Sequence, residues 1–189
     1  MLEIFFGISN AERSRSIGIR NGSKVCIRED EMNFNTDIFE QFDKKWALLT
    51  AGTENSFNTM TISWGGMGTL WNKPVVSVYV RTSRYTHDFM DKNEYFTVSF
   101  YPEQYKQILG ILGSKSGRDI DKMKESGLTP VPVSGSMSFK EAGITIVCRK
   151  LMKQRLEVKE IPEDIAKALY EGEAPHDMFI GEVVEIIRK

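Results

Sequence analysis

The feature that most constrains this chain is a succession of short β-favouring segments set off by turn residues, with helices interrupting them at irregular intervals. WALLTA (46–51) reads as a buried strand, GTEN (52–55) as a turn and FNTMTISW (57–64) as the next strand. In PVVSVYVR (74–81), Val75, Ser77 and Tyr79 alternate with Val76, Val78 and Val80. YFTVSFY (95–101) and FIGEVVEIIRK (179–189) read as further strands. ITIVCRKLMKQRLEVKEI (144–161) is one bent strand or a hairpin. Three helices are expected: one from Thr86 as N-cap through HDFMDKN, one from Pro102 into EQYKQILGIL, and one over PEDIAKALYEG (162–172). This order argues against a doubly wound parallel sheet. It predicts a mainly β (α+β) barrel or sandwich with short helices at its rim.

A chain of 189 residues with 41% hydrophobic content is long enough to bury one sizeable core. A net charge of −1 provides no global field for nucleic acid or an anionic membrane, and no apolar run is long enough to span a bilayer. The opening MLEIFFGI lacks a basic n-region and does not read as a signal peptide. Two cysteines without CxxC spacing read as reduced thiols, which points to a cytoplasmic protein. With only His87 and His176 available, no metal site is expected. Residues 1–31 are polar and aperiodic after their apolar start, and Met32 offers a second start. The expected organisation is an N-terminal tail or extension over 1–31 and a functional domain over 32–189.

Reactive protein groups are scarce. No GxGxxG opens a helix, no GxxxxGK[ST] is present, and HExxH, GxSxG and a supported Cys–His pair are all missing. Redox or group-transfer chemistry here would come from a bound cofactor. The polar residues of the 57–64 strand, Asn58, Thr59, Thr61 and Ser63, are short and uncharged, whereas a solvated strand face more often carries Lys, Glu or Arg. Beside a glycine-rich turn at Gly65, Gly66 and Gly68 that ends the strand, they suit a planar, heteroatom-rich ring with a polyol tail and an apolar wall. Standing by itself, the stretch would read as a strand with Met60, Ile62 and Trp64 in the core and the rest solvated. One strand later, Arg81, Thr82, Ser83, Arg84 and Thr86 gather two guanidiniums and three hydroxyls at a helix start. They form either an anion site or a capped helix with solvated arginines. Ring and phosphate together describe a phosphorylated flavin. The loop Ser114, Ser116, Gly117, Arg118, Lys122 reads equally as a binding element or a helix-start turn.

These pieces stand in a recognisable order: Asn58-Thr-Met-Thr-Ile-Ser-Trp64, Arg81-Thr-Ser-Arg-Tyr-Thr86, Ser116-Gly-Arg-Asp-Ile-Asp-Lys122 and His176-Asp-Met-Phe-Ile-Gly-Glu-Val183. Together they resemble the flavin reductase family, the FMN-binding split-barrel group that includes flavoredoxin, over roughly residues 46–187. The resemblance implies a homodimeric FMN-binding split β-barrel with short peripheral helices. It places Asn58, Thr59, Met60, Thr61, Ser63 and Trp64 along the flavin ring and ribityl chain. Arg81, Ser83, Arg84 and Thr86 would lie around the phosphate. Ser116, Gly117, Arg118 and Lys122 would form a further flavin-contacting segment, with His176 and Phe179 close by. The implied reaction is NADH- or NADPH-dependent flavin reduction. The alternatives are a flavoredoxin-like carrier reduced by a redox protein partner, and a non-catalytic flavin-binding module. His176 is the one candidate catalytic residue, either orienting a nicotinamide or flavin or serving as a structural hydrogen-bonding residue.

Overall fold

The computed structural model describes residues 34–189, together with the backbone of two earlier strands. The chain divides into two units, Met1–Asn35 and Thr36–Lys189. In the first, β1 (Ser16–Arg20) pairs antiparallel with β2 (Ser23–Ile27). The rest of the expected 1–31 tail lies outside the described residues.

The second unit is built on β3 (Ala47–Thr53), β4 (Ser56–Ile62), β5 (Gly65–Leu70), β6 (Lys73–Arg81), β7 (Tyr95–Phe100), β10 (Ile144–Arg155) and β11 (His176–Arg188). They form one sheet in the order β4-β3-β7-β10-β11-β6-β5, and every neighbouring pair is antiparallel. A separate hairpin joins β8 (Pro130–Val133) to β9 (Ser136–Phe139). The helices are α1 (Tyr85–Lys92), α2 (Lys106–Ser114), α3 (Lys122–Ser126) and α4 (Glu163–Tyr170). This is the mainly β, short-helix architecture expected from the irregular spacing of strands.

Strand β3 is buried on both faces, as its unbroken run Ala47-Leu48-Leu49-Thr50-Ala51 requires. On one side Leu48 joins Leu109 and Leu112 of α2, Leu128, Phe139 and Ala142 in a second apolar cluster. Across the sheet, Val76, Val78, Val80, Phe96, Val98, Ile146 and Phe179 are all essentially inaccessible. Residues 144–155 form one long strand, bent by register shifts at Val147/Cys148 and Lys150/Met152, rather than a hairpin.

Two local expectations are corrected. The glycines after Trp64 do not end the strand pattern, because Gly65–Leu70 is itself a strand. A Cβ at Gly65 would stand 2.4 Å from the buried ring of Phe42, so glycine there makes room for an aromatic of the core. Thr86 is not the N-cap of α1. Arg84 holds that position in an extended conformation, without a side-chain cap, and Thr86 lies inside the first turn. Asp121, by contrast, caps α3 as the residue type favours, accepting from the backbone N–H groups of Met123 and Lys124. Among the described residues, no helix is long and apolar enough to cross a membrane.

Candidate functional site

Strand alternation divides the 57–64 stretch. Asn58 and Met60 line a cleft of about 170 Å³, together with Ser83, Arg84, Tyr85, Thr86, Lys115, Ser116, Gly117 and Lys122. Thr59 and Thr61 point their side chains the other way. The Thr59 hydroxyl donates to Leu49 O and accepts from the Thr50 hydroxyl (2.9 Å), and Thr61 donates to Leu109 O of α2. The cleft therefore receives one face of the strand, not all of its small polar groups.

Asn58 is the joint of this site. Its Nδ2 donates to the Thr86 hydroxyl at 2.8 Å, tying β4 to the first turn of α1, and both side chains are buried. Gly117 presses against the same amide: a Cβ there would fall 2.3 Å from Asn58 Oδ1 and 3.2 Å from the Tyr85 ring. Only a residue without a side chain lets the 113–118 loop close this wall. Arg118 holds the loop from outside, donating to Ser83 O (3.2 Å) and Asp88 (2.9 Å) with its guanidinium 4.6 Å from the Tyr85 ring centroid.

Two of the expected cations, Arg84 and Lys122, line the cleft. Lys122 is 6% exposed, and its ammonium donates to Thr59 O at 2.7 Å and Leu112 O at 2.8 Å. The charged group acting on it is a second cation, Arg84. Burial first, and Arg84 second, pull the Lys122 pKa down to about 8. Arg84 donates to Gly113 O, and burial together with Arg81 lowers its pKa as well. Both cations are bonded to neutral carbonyls, so their charge is not cancelled locally. They sit beside the uncapped N-terminus of α1, whose N–H groups add to the positive field. Lys115, which the sequence reading did not name, also lines the cleft, while pairing with Glu125 at 2.9 Å.

A second group of the expected residues gathers at a different corner. His176 opens β11 directly opposite Arg81 of β6. Its ring packs against Trp64 (centroids 4.9 Å apart) and edge-on to Tyr170 of α4 (5.6 Å). Trp64 is 39% exposed, whereas His176 is buried and its Nδ1 has no hydrogen-bond partner. Burial, then the Arg81 charge, lowers the His176 pKa to about 4, so the imidazole is neutral near pH 7. Arg81 itself donates to Ala174 O (2.9 Å), Leu169 O (3.2 Å) and Glu173 (3.2 Å), and lies over the Tyr170 ring. Of the sixteen residues expected around a cofactor, the structure brings Asn58, Met60, Ser83, Arg84, Thr86, Ser116, Gly117 and Lys122 into one cleft. Arg118 buttresses it. Arg81, Trp64 and His176 form the aromatic corner, and Ser63 leads into Trp64. Phe179 is fully buried against His87 in the core.

The comparisons with known proteins agree with this architecture. No curated protein sequence matches the chain. Among solved structures it is similar to flavoredoxin from Methanosarcina acetivorans (23% identity, 77% of this chain and 68% of that one, TM-score 0.60). It also resembles an FMN-binding protein from Thermus thermophilus with bound p-hydroxybenzaldehyde (22%, 83% and 78%, TM-score 0.60). A third neighbour is nitrilotriacetate monooxygenase component B from Bacillus cereus (21%, 76% and 68%, TM-score 0.59). At these identities the likeness establishes the split-barrel fold. The model of the flavin reductase like domain matches residues 39–189, most of the chain and all of the site just described, and the protein belongs to that family.

Proposed function

We propose that this protein binds FMN and is an NADH- or NADPH-dependent oxidoreductase of the flavin reductase type, working as a homodimer. The observation that carries the reading is the pair Lys122 and Arg84. A buried ammonium bonded only to carbonyls, beside a second cation, is unfavourable unless an anion completes it. The cleft's serines and the α1 N-terminus suit a phosphate monoester at that point. At about 170 Å³, the cleft falls short of the roughly 300 Å³ and more that encloses a whole drug-sized ligand. It matches the phosphate and polyol end of FMN, which leaves the ring to extend outward, where a second subunit would cover it.

Bound FMN would supply the hydride-accepting and electron-passing chemistry. The chain's own groups do the holding. Arg84, Lys122 and the α1 N–H groups anchor the phosphate, Met60 offers an apolar wall, and Asn58 keeps β4, α1 and the 113–118 loop in register. At the separate aromatic corner, the neutral His176, with an unsatisfied nitrogen beside the partly exposed Trp64, would offer one hydrogen bond to a ring substituent that reached it.

The test is to purify the protein, identify any released cofactor by mass, and add NADH or NADPH without oxygen while following the flavin absorbance. FMN that bleaches and is reoxidised repeatedly by added free flavin or a ferric complex is the expected result. Bleaching by a reduced ferredoxin-type donor, with neither nicotinamide effective, would replace the reductase reading with an electron-carrier one. FAD alone, or no uptake of flavin, would overturn the cofactor.

A further inference from the structure

Directly after His176, on the opposite face of β11, Asp177 is completely buried. Its carboxylate collects Arg155 Nε, Lys153 Nζ at 3.2 Å and His87 Nε2 at 2.8 Å. Burial alone would raise its pKa; the hydrogen bonds from Arg155, His87 and Lys153 outweigh that and hold the group well below the usual carboxylate range. Arg155 and Lys153 come from β10, the neighbouring strand, and Arg155 is the direct register partner of Asp177. These two cations already satisfy a buried carboxylate. His87 is different: it comes from α1 and ties the beginning of this helix to the buried carboxylate, whereas Lys153 and Lys150 of β10 hold its far end at Asp91 and Met90.

His87 immediately follows Thr86, whose hydroxyl receives Asn58, and lies three residues after Arg84. Successive helix residues point about 100° apart, so Thr86 faces the cleft wall while His87 faces the sheet. The ring is held on its remaining sides by Phe179 (5.7 Å, 68°) and by Asp91, 3.7 Å from Nδ1. The first turn of α1 is thus clamped from two directions: Asn58 at Thr86, and Asp177 at His87. We infer that His87 and Asp177 are positioning residues for the anion end of the cofactor: they touch no ligand, and they set where Arg84 and the α1 N–H groups present their charge. The inference rests on the FMN reading above and adds a determinant of selectivity for the phosphorylated over the unphosphorylated flavin.

The experiment compares dissociation constants for FMN and riboflavin in wild type, His87→Ala, His87→Gln, Asp177→Asn and Arg155→Met. The ratio of riboflavin to FMN constants should fall by roughly fivefold or more in His87→Ala and Asp177→Asn, since a displaced α1 loses phosphate contacts but not ring contacts. His87→Gln retains a nitrogen donor toward Asp177 and should recover most of the ratio. Arg155→Met removes a partner of Asp177 that bonds no residue of α1, leaves the His87 bond intact and should keep the ratio. Asp177→Asn preserves side-chain volume and carries the test should His87→Ala not fold. A ratio unchanged in both variants, or lowered equally by Arg155→Met, would show a network serving stability alone and would overturn the inference. A wild type with no preference for FMN would remove the phosphate reading and this inference together.

Discussion

The cleft at the start of α1 and the aromatic corner at the start of β11 flank one short turn, residues 81–84, and treat positive charge in opposite ways. At the corner, Arg81 is saturated by its own chain. It bonds the Leu169 carbonyl in α4, the Ala174 carbonyl of the α4–β11 connection and the Glu173 carboxylate, and stacks on Tyr170. In the cleft, Lys122 is buried and Arg84 partly buried, yet their hydrogen bonds go to carbonyls alone. A guanidinium completed internally fixes a loop. A buried cation given only neutral partners retains charge for something that arrives later. Two arginines three residues apart, alike on paper, therefore have different work.

The sharpest way to break this contrast is to truncate each. Arg84→Ala should weaken FMN binding about tenfold or more, since charge-assisted hydrogen bonds contribute about 1.5–3 kcal/mol, and should leave riboflavin nearly unaffected. Arg81→Ala should loosen α4 and lower the melting temperature, while changing the two flavins' affinities by similar factors. If Arg81→Ala lost FMN selectively, Arg81 would be a phosphate ligand after all and the division drawn here would fall. Gly117→Ala tests the wall of the cleft. Its Cβ would collide with Asn58 and Tyr85, and overpacking of this kind costs about 1–3 kcal/mol. Binding of both flavins should weaken, because the whole 113–118 loop must retreat. Titration by flavin fluorescence would read either result.

Much of this site was legible in the chain because its chemistry is concentrated in contiguous runs. Residues 81–86 and 116–122 announce positive charge, hydroxyls and glycine without any knowledge of the fold. What could not be read there was direction. Thr59 and Thr61 belong to the same polar run as Asn58, but strand alternation sends their hydroxyls to Thr50, Leu49 and α2. Arg81 and Arg84 separate because β6 ends between them, which places Arg81 across from His176. The His87–Asp177 pair spans ninety residues, and no local pattern marks it. The strand at Gly65–Leu70 was hidden for a related reason: its first glycine, Gly65, answers to the ring of Phe42, a contact made only in three dimensions. The β8–β9 hairpin, rich in Pro and Ser, carried too weak a strand signal to be recognised.

A change of pH sharpens the cleft side of the comparison. In the ligand-free protein Lys122 begins to lose its proton near pH 8, well below the ordinary 10.5 of lysine, through burial and the Arg84 charge. A bound phosphate dianion supplies the missing countercharge and raises that pKa again. The complex then holds more protons than the free protein above pH 8, so FMN affinity should fall as pH rises through that point, by at most about tenfold per unit for one proton. Riboflavin affinity should stay flat. Lys122→Met should bind FMN more weakly at pH 7 and lose the slope. A slope that survives the substitution would assign the proton to another group.

At the corner, the corresponding test should leave affinity for the phosphorylated ligand almost untouched and appear in stability instead. His176 has a folded pKa of about 4 against an ordinary 6.5, set by burial and then by Arg81. Between those two values the unfolded chain carries a proton that the folded chain does not, so acid favours unfolding across that window. The stability term is fully present above pH 6.5, shrinks as pH falls toward 4, and changes no further below it. His176→Phe keeps a ring between Trp64 and Tyr170 but has no proton to take up and no unpaired Nδ1 to bury. Its melting temperature should therefore drop less than wild type between pH 6.5 and 4. Near pH 7 it should equal or exceed wild type. If the same variant is reduced by nicotinamide at the wild-type rate, His176 is a structural ring like its neighbours. If reduction slows while FMN affinity holds, the unpaired nitrogen belongs to the reacting end of the site, and the two regions divide cleanly into one that anchors and one that reacts.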